Sequence, residues 1–138
     1  MQRAIFAVLT ICLLSANAIA KDPEPYLKAA GMPFYPQLAR VARIQGEVEL
    51  SFEVNETGEP ENVEAFSGAP MLKAAALEVV KSWKFSPCSC RTKKEVTFTY
   101  KISEEIHKRP RRVTVTWFDN EHILIEADPI PMPCDHCP

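Results

Sequence analysis

The sequence predicts an α+β domain: an antiparallel three-stranded sheet packed by two helices, followed by a C-terminal β-hairpin. Three observations predict it. Val48, Leu50, Phe52 and Val54 alternate with Glu47, Glu49, Ser51 and Glu53. Val96, Phe98, Tyr100 and Ile102 alternate in the same way with Glu95, Thr97, Thr99 and Lys101. A period of two marks a strand with one buried and one wet face. Between these strands, Leu72, Ala75, Ala76, Val79, Val80 and Trp83 recur at helical spacing, opposite Lys73, Glu78 and Lys81. A sheet with one apolar face needs such a helix to cover it.

The elements follow in order. Pro33 to Arg43 reads as a short helix, with Pro36 in its first turn, where a missing N–H costs nothing. Leu38, Val41, Ala42 and Ile44 form its apolar stripe, and Gly46 ends it. The strand Glu47 to Val54 comes next. Asn55-Glu56-Thr57-Gly58 is turn chemistry, with Gly58 free to take positive φ. A weaker strand runs from Glu61 to Ser67, with Pro60 at its entrance. Met71 to Trp83 is the clearest helix, and Lys94 to Ile102 the third strand. Beyond it, Arg112 to Phe118 and Ile123 to Glu126 flank the turn residues Asp119-Asn120-Glu121-His122 and read as a hairpin. Meander order places Arg112 to Phe118 beside Lys94 to Ile102.

The start of the chain reads as an export signal. Arg3 precedes the apolar run Ala4 to Leu14, and Ala18-Ile19-Ala20 offers the small residues a signal peptidase reads. The run is well short of the ~20 apolar residues that span a bilayer. Cleavage after Ala20 predicts a periplasmic or secreted protein with no membrane span. Removing Arg3 from 16 basic residues leaves 15 against 18 acidic ones, a formal charge of −3. That balance gives no nucleic-acid footprint. The organisation is therefore a signal peptide over 1–20, a short and poorly ordered polar lead over 21–32, the α+β domain over 33–103, and a hairpin with a cysteine- and proline-rich tail over 104–138.

Several segments match a known family. They are Phe34-Tyr35-Pro36-Gln37-Leu38-Ala39-Arg40, Ile44-Gln45-Gly46, the strand Val48 to Val54 and Gly58. Val63, Ser67-Gly68, Pro70, Leu72, Ala75-Ala76-Leu77, Val80 and Trp83-Lys84-Phe85-Ser86-Pro87 continue the match. Together they resemble the C-terminal domain of TonB-type energy transducers, from Pro33 to Ile102. The resemblance implies two helices on three strands. It also implies a role: binding an extended peptide of outer-membrane transporters, added to an exposed sheet edge. The implied accepting edge is the last strand, with Lys94, Val96, Phe98 and Tyr100. The implied second contact is Phe34, Tyr35 and Pro36, although Tyr35 reads equally as core. Three features depart from the family: a cleavable apolar segment, a very short spacer, and the extension from Glu104 to Pro138. If the extension pairs with the last strand, the implied edge is filled. Related domains pair through strand edges, which leaves a homodimer open. The alternative is a structural or protein-interaction domain with this fold and no energy-transducing role.

Four cysteines follow the cleavage site: Cys88, Cys90, Cys134 and Cys137. An even number in an exported chain favours disulfides. Cross-pairing closes loops of more than 40 residues, each worth up to ~4 kcal/mol in the chain-entropy model. A four-cysteine zinc site and a redox pair at Cys134 and Cys137 are the other readings. Ala127 is expected at the far end of the sheet from Cys90. His107, Lys108, Arg109, Arg111 and Arg112 form a basic loop, and His122 and His136 have no partner at useful spacing. No nucleophile elbow, phosphate loop or His-Glu-x-x-His is present. The residues thus point to a binding module with no cofactor, metal or catalytic residue, and to a protein or peptide partner.

Overall fold

A computed structural model describes residues 23–104 and 113–130. Its elements are β1 (Leu27–Ala29), α1 (Gln37–Val41), β2 (Gly46–Val54), β3 (Pro60–Ala65), α2 (Pro70–Lys81), β4 (Lys84–Phe85), β5 (Thr92–Ile102), β6 (Val113–Trp117) and β7 (His122–Ala127). The main sheet has the order β3-β2-β5-β7-β6, and β1 pairs with β4 apart from it. The predicted helix–strand–strand–helix–strand run is present. The expected three-stranded antiparallel sheet is instead a five-stranded mixed one.

The order within the extension departs from the expected meander. β7, not β6, lies beside β5, and it runs parallel to it from Thr97↔His122 to Ile102↔Ala127. β6 pairs antiparallel with β7 on the outside. Burial accounts for the choice. β7 turns Ile123, Ile125 and Ala127 toward the core, and all three are buried. β6 offers Val113, Val115 and Trp117 on the same face, but Val113 and Trp117 are 39% and 38% exposed and Val115 is only half-buried. The strand with the more fully covered apolar row takes the inner place. Ala127 does register with Ile102, at the end of β5 far from Cys90.

One core joins the layers. Val48, Leu50, Phe52 and Val54 of β2 meet Val96, Phe98, Tyr100 and Ile102 of β5, with Leu72, Ala76, Val79 and Val80 of α2 above. Pro70 opens α2 at N1, where its missing N–H has no helical partner to lose. Trp83 follows the helix and is 1% exposed. Gly58 has φ 88°, and a Cβ there would overlap the Phe85 carbonyl oxygen, so the turn before β3 can be tight only with glycine.

Three expectations near the N-terminus are corrected. The lead is not wholly irregular, because Leu27 registers with Phe85 and Ala29 with Lys84. The Ser86 N–H donates to the Tyr26 carbonyl (2.8 Å), extending that pairing. The first helix covers only Gln37–Val41, and Pro36 is its cap with an extended ψ of 132°. Its inward residues are Ala39 and Arg40, while Leu38 is 69% exposed. One and a half turns cannot carry the four-residue stripe read from the sequence. The signal segment, the basic loop with His107, Lys108, Arg109, Arg111 and Arg112, and the tail with Cys134, His136 and Cys137 lie outside the described residues.

Candidate protein-binding site

Backbone direction shows which edge is open. Thr97 N–H donates to Glu121 O (2.6 Å) and Ser103 N–H to Ala127 O (2.9 Å). Odd residues of β5 therefore face β7, and even ones face β2. From Thr97 upward that outward row is taken by β7. Below it, the outward groups of Lys93 and Glu95 have no strand beside them among the described residues. The edge implied by the resemblance is thus filled over Thr97–Ile102, and among the described residues no strand covers it over Thr92–Val96.

Beside the open half lies a cavity of about 120 Å³. Leu27, Phe52, Trp83 and Phe85 contribute apolar walls, and Lys94, Glu95 and Glu121 contribute charge. Lys94 registers opposite Phe52, on the core side of the sheet. Its half-buried side chain lines the cavity. The Phe52, Trp83 and Phe85 rings pack at 5.7–6.2 Å, mostly tilted or edge-on.

The other candidate residues divide by burial. Val96, Phe98 and Tyr100 are 2%, 0% and 1% exposed, so their side chains hold the core and cannot touch a partner. Tyr35 is also core: its hydroxyl donates to Ile44 O (2.6 Å) and its ring meets Tyr100 edge-on at 5.2 Å. Phe34 is 40% exposed and Pro36 is half-buried. Cys88 is half-buried and Cys90 exposed; they form no disulfide with each other, and the Cys88 thiol donates to the Cys90 carbonyl (2.7 Å). Among the described residues no cluster of His, Cys, Asp and Glu is arranged to hold a metal. Nor is any described helix long and apolar enough to cross a membrane.

Two features escaped the sequence. Arg40, on α1, donates from Nε (3.1 Å) and a terminal nitrogen (2.6 Å) to the Asp128 carbonyl, 88 residues away. It ties the end of β7 to the first helix, and only a buried arginine with no nearby carboxylate partner would have hinted at it. Replacing Arg40 by alanine is expected to cost about 1–3 kcal/mol, the range for a charge-assisted buried bond. Hydrogen exchange should accelerate first at Ser103, whose N–H bonds the end of β7. An unchanged rate there would show that the clamp is idle. His122 does have a partner: its Nδ1 lies 3.0 Å from Asp119 Oδ2. Asp119 Oδ1 also accepts the Glu121 and His122 N–H groups, both at 2.7 Å, and these bonds hold its carboxyl below the usual range. The pairing closes the β6–β7 turn.

Burial pushes the Tyr35 phenol up to about 12, against the opposing charge of Arg40. Burial raises Tyr100 further, with Tyr35 adding to it. Both rings are neutral in the fold and ionise more easily once unfolded. Their contribution to stability is therefore complete below pH 10 and declines as pH rises through 12. A titration followed by circular dichroism should show unfolding and phenolate absorbance rising together above pH 10. Phenolate formation at Tyr35 in a folded chain near pH 10 would contradict this.

The domain's counterparts are among known proteins. The family described as Gram-negative bacterial TonB protein C-terminal matches residues 32–104, more than half of the chain. The chain belongs to this TonB C-terminal family. Protein TonB of Salmonella typhimurium strain LT2 is 28% identical over 78 residues, 55% of this chain and 32% of that one. Protein TonB of Vibrio cholerae serotype O1 is 32% identical over 76 residues, 54% of this chain and 31% of that one. The matched region thus spans about a third of these TonB relatives. The solution structure of Pseudomonas aeruginosa TonB CTD superposes with a TM-score of 0.50 at 20% identity, covering 66% of this chain and 95% of that one. That likeness establishes the fold. The family match ends at residue 104, so β6 and β7 lie beyond it.

Proposed function

We propose that this chain is an exported TonB-type binding module of the periplasm that takes an extended segment of an outer-membrane transporter onto the open half of β5. It binds and does not catalyse. The observation that carries the reading is the pairing of an uncovered Thr92–Val96 edge with a side-chain cavity beside it. Strand addition needs both: main-chain bonds for affinity, and a pocket for choice between sequences. Lys93 and Glu95 supply the outward N–H and C=O groups. The cavity beside Lys94 accepts one apolar side chain of the bound segment. Phe34 and Pro36 provide a second contact, as the family likeness suggests.

Titration with periplasmic peptides of such transporters tests this. Binding should shift the Lys93 and Glu95 amide resonances. Glu95→Pro deletes an outward N–H without touching the β2 ladder, so it should weaken binding at least tenfold while the fold persists. Failure of every such peptide to bind would end the reading.

A second reading has its own support. β7 closes the longer half of the edge that the family likeness implies, which favours a protein-interaction domain with this fold and no energy-transducing role. The tail cysteines belong to the same proposal as two disulfides. A free-thiol count of zero with no bound zinc supports oxidation, and four free thiols refute it.

A further inference from the structure

The uncovered half of β5 is walled by two segments that lie outside the family match, which covers residues 32–104. Glu24, Pro25 and Leu27 come from the lead before it, and Asn120 and Glu121 from the β6–β7 turn after it. All five line the cavity beside Lys94 and Glu95.

Hydrogen bonds hold both walls in place. Tyr26 N–H donates to Ser86 Oγ (3.0 Å) and Ser86 N–H to Tyr26 O (2.8 Å), which fixes the lead beside β4. Glu121 N–H donates to Asp119 Oδ1 (2.7 Å), and Glu121 O accepts the Thr97 N–H (2.6 Å). Glu121 therefore stands where the β7 ladder stops, next to the outward groups of Glu95.

The walls also set the charge. Three carboxylates, Glu24, Glu95 and Glu121, meet one ammonium, Lys94, around an apolar floor of Phe52, Trp83 and Phe85. The formal balance is −2. Glu95 pairs only loosely with Lys93, at 3.9 Å. Among the described residues Glu24, Glu121 and Lys94 form no ion pair. Uncompensated carboxylates at a rim attract a basic segment and turn away an acidic one.

We propose that Glu24 and Glu121 make this slot selective for a segment that carries lysine or arginine beside its apolar anchor. The inference rests on the reading of the β5 half-edge as the binding site. A cavity of about 120 Å³ holds one side chain. Residues two apart in an added strand point to the same face about 7 Å away, so the next side chain falls at the rim among the carboxylates. There a lysine or arginine lays its stem on the apolar wall and its charge at the rim. A glutamate or aspartate in that place faces like charge. Both selecting residues lie outside the family region, so the preference belongs to this chain's additions and not to the shared domain.

Titration of the full chain with three short synthetic peptides tests the proposal. They share a central leucine in a threonine and valine background. They differ only two positions to either side of it, where they carry lysine, glutamine or glutamate. The lysine peptide should bind about tenfold tighter than the glutamate peptide at low ionic strength, with glutamine between them. The preference should fade in about 0.5 M salt. Glu24→Gln together with Glu121→Gln should reduce it to about twofold or less. Both side chains are exposed, so the fold persists. Glu47→Gln removes charge from β2 opposite Thr99, away from the slot, and should leave the preference intact. Peptides that bind with shifts at Lys93 and Glu95, but in equal or reversed order, would overturn the selectivity and leave the half-edge reading standing. A preference that survives the double substitution would overturn the role of the two carboxylates. Binding by none of the three would sink the half-edge reading and this inference with it.

Discussion

Replacing Trp83 by alanine is expected to destabilise the domain by about 3–5 kcal/mol, as for other buried aromatic truncations. Few domains exceed 5–15 kcal/mol in total, so the loss is a large share. The ring sits where separate parts of the chain meet. Its centroid lies 6.2 Å from Phe52 on β2, 6.2 Å from Phe85 on β4 and 6.0 Å from Phe98 on β5. It also lies 5.8 Å from Trp117 on β6, outside the family region. An alanine leaves a cavity among four elements, and strands held by backbone bonds cannot collapse to fill it. Urea denaturation measures the loss. Trp117 would then be the one remaining tryptophan, and its emission should shift to the red as it loses its neighbour. Trp83→Phe is the control. Trp83 Nε1 is buried with no acceptor among the described residues, so phenylalanine removes an unpaired donor while keeping an aromatic ring. It should cost less than half as much. A loss below 1 kcal/mol for the alanine variant would show that the aromatic cluster is not what joins the layers.

The legible part of the fold was the part fixed by local period. Val48 to Val54 and Val96 to Ile102 alternate without a break, and a one-residue slip would turn every apolar side chain to water. Leu72 to Trp83 carries enough turns for its stripe to be unambiguous. The missed features depend on distant partners. Leu27–Ala29 is a strand only because Lys84–Phe85 arrives beside it, and nothing in its three residues announces that. Leu38 fits a helical stripe by spacing, yet Tyr35, edge-on to Tyr100, and Ala39 are the buried apolar residues of this segment. Among the proposed partner-binding residues, Val96, Phe98 and Tyr100 lie on β5 with their side chains in the core. Which face of a strand is buried was readable from alternation, and it excludes those three side chains from contact. Which edge is free was not, because edges are set by pairing. β6 and β7 both alternate, and only their depth of burial in the finished core decides which stands next to β5.

That decision yields the second large effect. Ile125 is 0% exposed and faces the core from the middle of β7, opposite Tyr100. Ile125→Asp places a carboxylate there with no described cation to pair with it, at a cost of several kcal/mol. Two outcomes compete, loss of the whole fold and loss of the hairpin alone. Packing favours the second. α2 lies on β3 and β2, and the β2–β5 ladder runs the full nine pairs from Gly46↔Tyr100 to Val54↔Thr92 without help from β7. β7 adds a parallel ladder of six residues and the Arg40 clamp. Hydrogen exchange separates the outcomes residue by residue. The amides of Thr97, Thr99, Lys101 and Ser103, which face β7, should become labile. Those of Val96, Phe98 and Tyr100, which face β2, should stay protected. Uniform loss of protection would make the extension an integral part of the domain rather than an addition to it. The same variant bears on binding. With β7 gone, the open edge grows from Thr92–Val96 to the whole of β5, and a transporter peptide that uses this edge should bind more tightly than it binds the unaltered chain.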